Sequence, residues 1–190
     1  MHEFIRTFMN SKKLIGLTGE IGSGKDTFCE YVKENYKDVF VYRFSDALTE
    51  ILKIFFNTVK REDQQWLGEA LRDRFGKDIL LKALIKKANK VEEGIVILNG
   101  IRKELEVPAI REIGGKIVYI AADQKIRWER VKVRGEKADD DVSFEKFVEM
   151  HNAEAELQIP SIGQTADFKI ENNGSKEAFY QQIKKIIDLI

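Results

Sequence analysis

The sequence predicts an α/β fold in which a parallel sheet of five strands lies between two layers of helices. Three observations predict it. Short apolar runs alternate with longer amphipathic stretches along the chain. A glycine-rich turn, Gly19 to Lys25, joins the first apolar run to the first amphipathic stretch. No repeat, low-complexity tract or Pro-rich linker divides the chain, whose two prolines are Pro108 and Pro160.

Each element follows from local pattern. Leu14–Thr18 is the first strand. Lys25–Tyr36 is a helix with Phe28, Tyr31, Val32 and Tyr36 at helical spacing. Val39–Phe44 is the second strand, and Asp46–Phe56 is a helix capped by Ser45 or Asp46. Two further helices, Glu62–Arg74 and Asp78–Asn89, are separated by Phe75-Gly76. Ile95–Leu98 is the third strand. Lys103–Ile113 is a helix stopped by Gly114-Gly115. Lys116–Ala121 is the fourth strand. Gln124–Arg134 and Ser143–Glu156 are helices around a charged loop. Phe168–Glu171 is the fifth strand, and Ser175–Ile190 is a closing amphipathic helix.

Composition bounds the function. A length of 190 residues predicts a single domain, residues 1–190. With 43% hydrophobic and 34% charged residues, the chain is globular rather than disordered. Lys plus Arg and Asp plus Glu each number 32, so no net charge draws it to nucleic acid or anionic membranes. One cysteine, Cys29, excludes a disulfide framework and a multi-cysteine zinc site, and it reads as a packed thiol rather than a nucleophile. Two distant histidines, His2 and His151, exclude a metal site built on several histidines. Apolar runs such as Ile95–Leu98 fall far short of the roughly 18 residues that span a bilayer. The first residues lack an apolar signal core. These features predict a cytoplasmic protein.

The chemistry is concentrated in Gly19-Glu20-Ile21-Gly22-Ser23-Gly24-Lys25-Asp26-Thr27, which matches G-x-x-x-x-G-K between a strand and a helix. Glycines let the backbone curl so that successive N–H groups face a phosphate. The helix N-terminus adds a favourable dipole, and Lys25 adds a mobile charge for the β- and γ-phosphates. The residue after the lysine is ordinarily Ser or Thr, whose hydroxyl binds Mg²⁺; here it is Asp26, followed by Thr27. A carboxylate is also a hard oxygen ligand, so Asp26 is the candidate metal residue. Without metal it would repel phosphates, which predicts strongly Mg²⁺-dependent nucleotide binding. A guanine-reading N-K-x-D segment is absent, and the third strand runs into Asn99 where motor-type ATPases place an acid.

Beyond that loop, Phe44-Ser45-Asp46-Ala47-Leu48, Leu67-Gly68-Glu69-Ala70-Leu71-Arg72, Gly76-Lys77-Asp78-Ile79 and Asn99-Gly100-Ile101-Arg102 resemble deoxynucleoside monophosphate kinases of the phage and bacterial type. The C-terminal stretch Asp167 to Ser175 resembles dephospho-coenzyme A kinase instead. The resemblance implies the three-layer P-loop NTP hydrolase fold, with strand order 2-3-1-4-5 and a mobile lid. It also implies transfer of the ATP γ-phosphate to a nucleoside or deoxynucleoside monophosphate, with Mg²⁺. Dephospho-coenzyme A as acceptor, and a regulatory nucleotide-binding module, stay open as alternatives.

The resemblance also assigns roles. Arg102, just past the third strand, would grip the acceptor phosphate, with Arg72 beside it in an acceptor-binding helical region of about residues 45–90. Arg130 and Arg134 resemble the Arg-x-x-x-Arg at the base of a kinase lid, the first against adenine and the second reaching the phosphates. The lid itself would span about residues 134–150. Asn173-Gly174 resembles the turn beside the adenine. The loop residues Gly19, Gly22, Ser23, Gly24, Lys25, Asp26 and Thr27 would bind nucleotide, and Lys25, Arg102, Arg134 and Asp46 would take part in transfer. Asp46 is either a carboxylate for a hydroxyl acceptor or a helix cap. Trp66 and Phe75 are assigned to core packing, with base stacking as their alternative.

Overall fold

The structure, a computed structural model, describes residues 12–134, 143–151 and 157–190. Five strands form one sheet: β1 (Lys13–Thr18), β2 (Val39–Arg43), β3 (Ile95–Ile101), β4 (Lys116–Ala121) and β5 (Phe168–Glu171). Their order is β2-β3-β1-β4-β5 and every neighbouring pair is parallel, as the sequence predicts. The described helices are α1 (Lys25–Asn35), α2 (Phe44–Phe55), α3 (Arg61–Phe75), α4 (Ile79–Ala88), α5 (Glu106–Glu112), α6 (Gln124–Arg134), α7 (Phe144–His151), α8 (Ile159–Thr165) and α9 (Lys176–Leu189).

Strand alternation divides the core. Ile15 and Leu17 of β1 face one side, where Phe28, Cys29 and Val32 of α1 and Phe179, Ile183 and Ile187 of α9 cover them. Leu14 faces the other side, packed with Leu81 and Leu84 of α4, Ile110 of α5 and Ile162 of α8. Burial on both faces explains why β1 and β3 read as continuous apolar runs rather than alternating ones.

Several boundaries differ from the sequence reading. β3 continues through Asn99 and Gly100 to Ile101, because parallel pairing holds these residues against Leu17 and Thr18 of β1 across a register shift. α2 begins at Phe44, so Asp46 is its third residue and not its N-cap. Its carboxylate accepts the Arg43 backbone N–H at 3.1 Å, which satisfies one of the helix-entry donors. α5 is shorter than predicted. The Glu106 carboxylate captures the Arg102 and Lys103 backbone N–H groups at 2.9 and 3.0 Å, so the chain turns there before helix begins. The sequence reading assigns no element between 157 and 167, yet α8 forms there. Its Pro160 sits in the first turn, where a missing N–H costs nothing, and Ile159 and Ile162 are buried.

Trp66 and Phe75 correct the assignment to core packing: they are 67% and 60% exposed. α3 turns Gly68 inward instead, close to Leu48 and the Arg72 guanidinium.

Cys29 is buried at the foot of α1, and burial pushes its thiol up to about 12 despite the nearby Arg43 and Lys33 cations. The thiolate is therefore scarce in the native fold at all ordinary pH. Near pH 8, native protein should react with iodoacetamide at least about 100-fold more slowly than urea-unfolded protein. Mass spectrometry of the alkylated chain reads the difference.

Candidate functional site

The loop from Gly19 to Gly24 crosses the C-terminal end of β1 and feeds α1. Gly22 and Gly24 have φ of +79° and +108°, the left-handed region that L side chains avoid. Space forbids a side chain there as well. A Cβ on Gly22 would stand 2.5 Å from the Arg127 carbonyl oxygen, and one on Gly24 would strike the Asn172 side-chain amide.

Two side chains from the far half of the sheet hold the outside of this loop. Arg127 of α6, 3% exposed, donates from Nη1 to the Ile21 carbonyl at 3.1 Å and from Nε to the Ala122 carbonyl at 3.1 Å. Its guanidinium lies over the Phe147 ring at 5.6 Å. Asn172, just past β5, donates from Nδ2 to the Ser23 carbonyl at 2.8 Å. In a trans peptide the carbonyl and the following N–H point in opposite directions. Fixing the Ile21 and Ser23 carbonyls outward therefore turns the Gly22 and Gly24 N–H groups inward. Glu20 anchors the base of the loop: its carboxylate accepts the Tyr119 hydroxyl at 3.0 Å. Burial, with the Glu20 charge added to it, pushes that phenol well above its ordinary range. Inside the loop, the Lys25 ammonium donates to the Gly19 carbonyl and, at 2.9 Å, to the Glu20 carbonyl.

Asp26 lies in the first turn of α1. Its carboxylate pairs with the Arg43 guanidinium at 2.9 Å and accepts the Asn99 amide at 3.4 Å. Arg43, at the end of β2, and Asn99, near the end of β3, are register partners, which is why both reach the same atom. Burial works against the Arg43 charge, but the Asp26 and Asp46 carboxylates outweigh it and hold the guanidinium above its ordinary value. No cluster of three or more His, Cys, Asp or Glu exists among the described residues. A Mg²⁺ needs only one or two carboxylates when phosphates and water complete its shell, and Asp26 fits that donor set. Beside this corner, a cleft of about 210 Å³ lies between β2, α2 and α4, lined among others by Arg43, Asp46, Glu50 and Lys87.

Arg102 lies immediately past β3, and its backbone N–H is held by Glu106. Glu106 is 8% exposed; burial raises its carboxyl above the usual range, while the two backbone N–H bonds and the nearby Arg72 charge pull the other way. The Glu106 carboxylate thus fixes the Arg102 turn, with the Arg72 charge, near the end of α3, close enough to act on it. Arg130 of α6 donates from Nη2 to the Asn172 side-chain amide oxygen Oδ1 at 3.3 Å. Its Nη1 is buried without a hydrogen-bond partner, as is the Ser23 hydroxyl. Desolvation lowers the Arg130 guanidinium from its ordinary value.

Asn173 accepts the Asp123 backbone N–H at 2.8 Å, closing the β5 end onto the start of α6; Gly174 beside it faces open space. Thr27 is half-buried in the first turn of α1. Arg134 ends α6, and its side chain lies outside the described residues, as do residues 135–142 of the predicted lid. The structure thus brings Gly19–Thr27, Arg130 and Asn172 to one end of the sheet. Arg127, Asn172, Arg43, Glu106 and Tyr119 were missed in the sequence. Arg127 had a signal, since it precedes Arg130 by three residues and extends that helical face. Arg43 and Asn99 meet only through strand register, which a single sequence does not display.

Residues 15–157 match the family model described as AAA domain. A UPF0200 protein of Thermococcus kodakarensis is 30% identical over 189 residues, covering 93% of this chain and 97% of the relative. The chain belongs to the UPF0200 family, and residues 15–157 belong to the AAA domain family. A UPF0200/UPF0201 protein of Archaeoglobus fulgidus is also 30% identical over 180 residues, and this UPF0200 chain spans 55% of that relative's length. Among solved structures, a shikimate kinase from Bacteroides thetaiotaomicron superposes with TM-score 0.59 at 15% identity, covering 95% of this chain and 98% of that one. A dephospho-CoA kinase from Campylobacter jejuni does so with TM-score 0.50 at 19% identity, covering 94% and 97%. The fold is therefore P-loop kinase-like, the coarser level of the resemblance drawn from sequence. No helix among the described residues is long and apolar enough to cross a membrane.

Asn172→Ala removes the brace from the Ser23 carbonyl in a buried setting. It should cost about 1–3 kcal/mol of stability in urea unfolding. Glu106→Ala should cost a similar amount, about 1–3 kcal/mol, by leaving the Arg102 and Lys103 N–H groups without their acceptor.

Proposed function

We propose that the protein is a cytoplasmic ATP-dependent phosphotransferase that moves the γ-phosphate to a nucleoside or deoxynucleoside monophosphate. The observation that carries this reading is the loop itself: inward N–H groups, a lysine resting on loop carbonyls, and a helix N-terminus behind them. A phosphate chain seated there would draw Lys25 off the Gly19 and Glu20 carbonyls. It would also offer acceptors to the unpartnered Ser23 hydroxyl and Arg130 Nη1.

Transfer needs little covalent help from the protein. An acceptor phosphate oxygen, already ionised near neutral pH, forms the new bond to the γ-phosphorus as the bond to the ADP oxygen breaks. Lys25 stabilises the charge that spreads over the transferring group, and Arg134 would join it from the lid. Arg102 and Arg72, the latter within the helical region 45–90, hold the acceptor, and Glu106 fixes the backbone at Arg102. Mg²⁺ at Asp26 would neutralise phosphate charge. A lid over about residues 134–150 would exclude water, so that the γ-phosphate does not pass to it instead. All of this lies in one domain, residues 1–190, with no role for nucleic acid or membrane.

Lys25→Ala should lower turnover at least about 100-fold without loss of the cooperative unfolding transition. Near-normal turnover would refute the role given to Lys25. The acceptor is read by ADP release in a screen of nucleoside and deoxynucleoside monophosphates, with dephospho-coenzyme A included because Asp46 lines the cleft beside Arg43. Release that depends on a monophosphate supports the reading. ATP consumption indifferent to every acceptor would overturn it.

A further inference from the structure

The residue after the P-loop lysine is a carboxylate, and such a charge beside a triphosphate should repel it. The fold supplies an answer from another strand. Arg43 ends β2, next to Asn99 in register, and its guanidinium lies 2.9 Å from the Asp26 carboxylate. The pair is partly open to solvent, with side-chain exposures of 45% and 54%, so water and a metal can reach it.

We propose that Arg43 is a built-in counter-ion for Asp26, standing in for the divalent cation while the nucleotide site is metal-free. This rests on the reading of the loop as an ATP site and adds a residue that sets its metal dependence. The Asp26–Arg43 pair is near neutral, so a metal-free triphosphate approaching the loop meets the loop N–H groups and Lys25 rather than a bare carboxylate. When a divalent ion arrives, it competes with Arg43 for the same oxygens. Arg43 therefore favours metal-free nucleotide and opposes the metal, and both effects narrow the gap between the two binding modes. On this proposal the Mg²⁺ dependence is less steep than Asp26 alone would give: the sequence displays the carboxylate but not its Arg43 partner.

Isothermal titration of ATP into the full chain, once in excess EDTA and once in excess Mg²⁺, tests the proposal. Arg43→Ala should weaken ATP binding in EDTA about fivefold, the upper range for a partly exposed ion pair, and leave binding in Mg²⁺ unchanged or tighter. Arg43→Lys should recover part of the loss in EDTA, since it restores charge without the planar fork. In the Asp26→Asn background the Arg43→Ala change should be silent, because no carboxylate remains to be masked. Equal weakening in both buffers would overturn the proposal, since Arg43 would then be gripping phosphate itself. So would an unchanged ratio between buffers in Arg43→Ala, with the ATP site left standing. Wild-type protein that binds ATP in neither buffer would overturn the phosphotransferase reading and this inference together.

Discussion

The outward pull on two carbonyls of the phosphate loop is the constraint on which the rest depends. A peptide unit is rigid, so a carbonyl fixed on one side commits the next N–H to the other. Arg127 fixes Ile21 and Asn172 fixes Ser23. A loop of glycines could otherwise adopt many conformations, and ordering it costs more entropy than ordering any other residue type. The braces supply that order in advance, so a bound anion does not have to. Arg127 is itself held by the Ala122 carbonyl and the face of Phe147, which makes it a rigid strut rather than a mobile surface charge.

The mouth of the loop departs in two places from the ordinary P-loop pattern with a strand acid. There the loop offers a hydroxyl and the neighbouring strand an acid. Here the loop offers Asp26 and the strand offers the neutral Asn99. The corner holds one carboxylate, on the helix rather than on the sheet. The consequence for binding is set by the residue across the gap, since a lone carboxylate and a paired one present different fields to the same ligand.

Much of the architecture was legible in the residues. β1 and β3 are apolar without alternation because both faces are covered, and the glycine-rich turn between β1 and α1 announced its own conformation. The motif supplied Lys25 and Asp26 directly. What stayed hidden depends on distance along the chain. Glu106 shortens α5 by capturing two N–H groups upstream, a tertiary contact that helix periodicity does not encode. α8 hid behind Pro160, which permits a helix start as readily as it forbids a helix interior. Trp66 looked like core because large aromatics usually are buried, whereas α3 packs through the small Gly68 and leaves the indole outside. Asp46 looked like a cap and does satisfy a helix-entry donor, but from the third position.

The Asn172 brace is separated from Ser23 by 149 positions. On the ribosome, the glycine turn leaves the exit tunnel early and waits for β5 before its shape is secured. A nascent chain stalled before that strand would carry the complete glycine-rich motif in unlocked form. Assembly of this end of the sheet therefore waits for β5 and the asparagine that follows it.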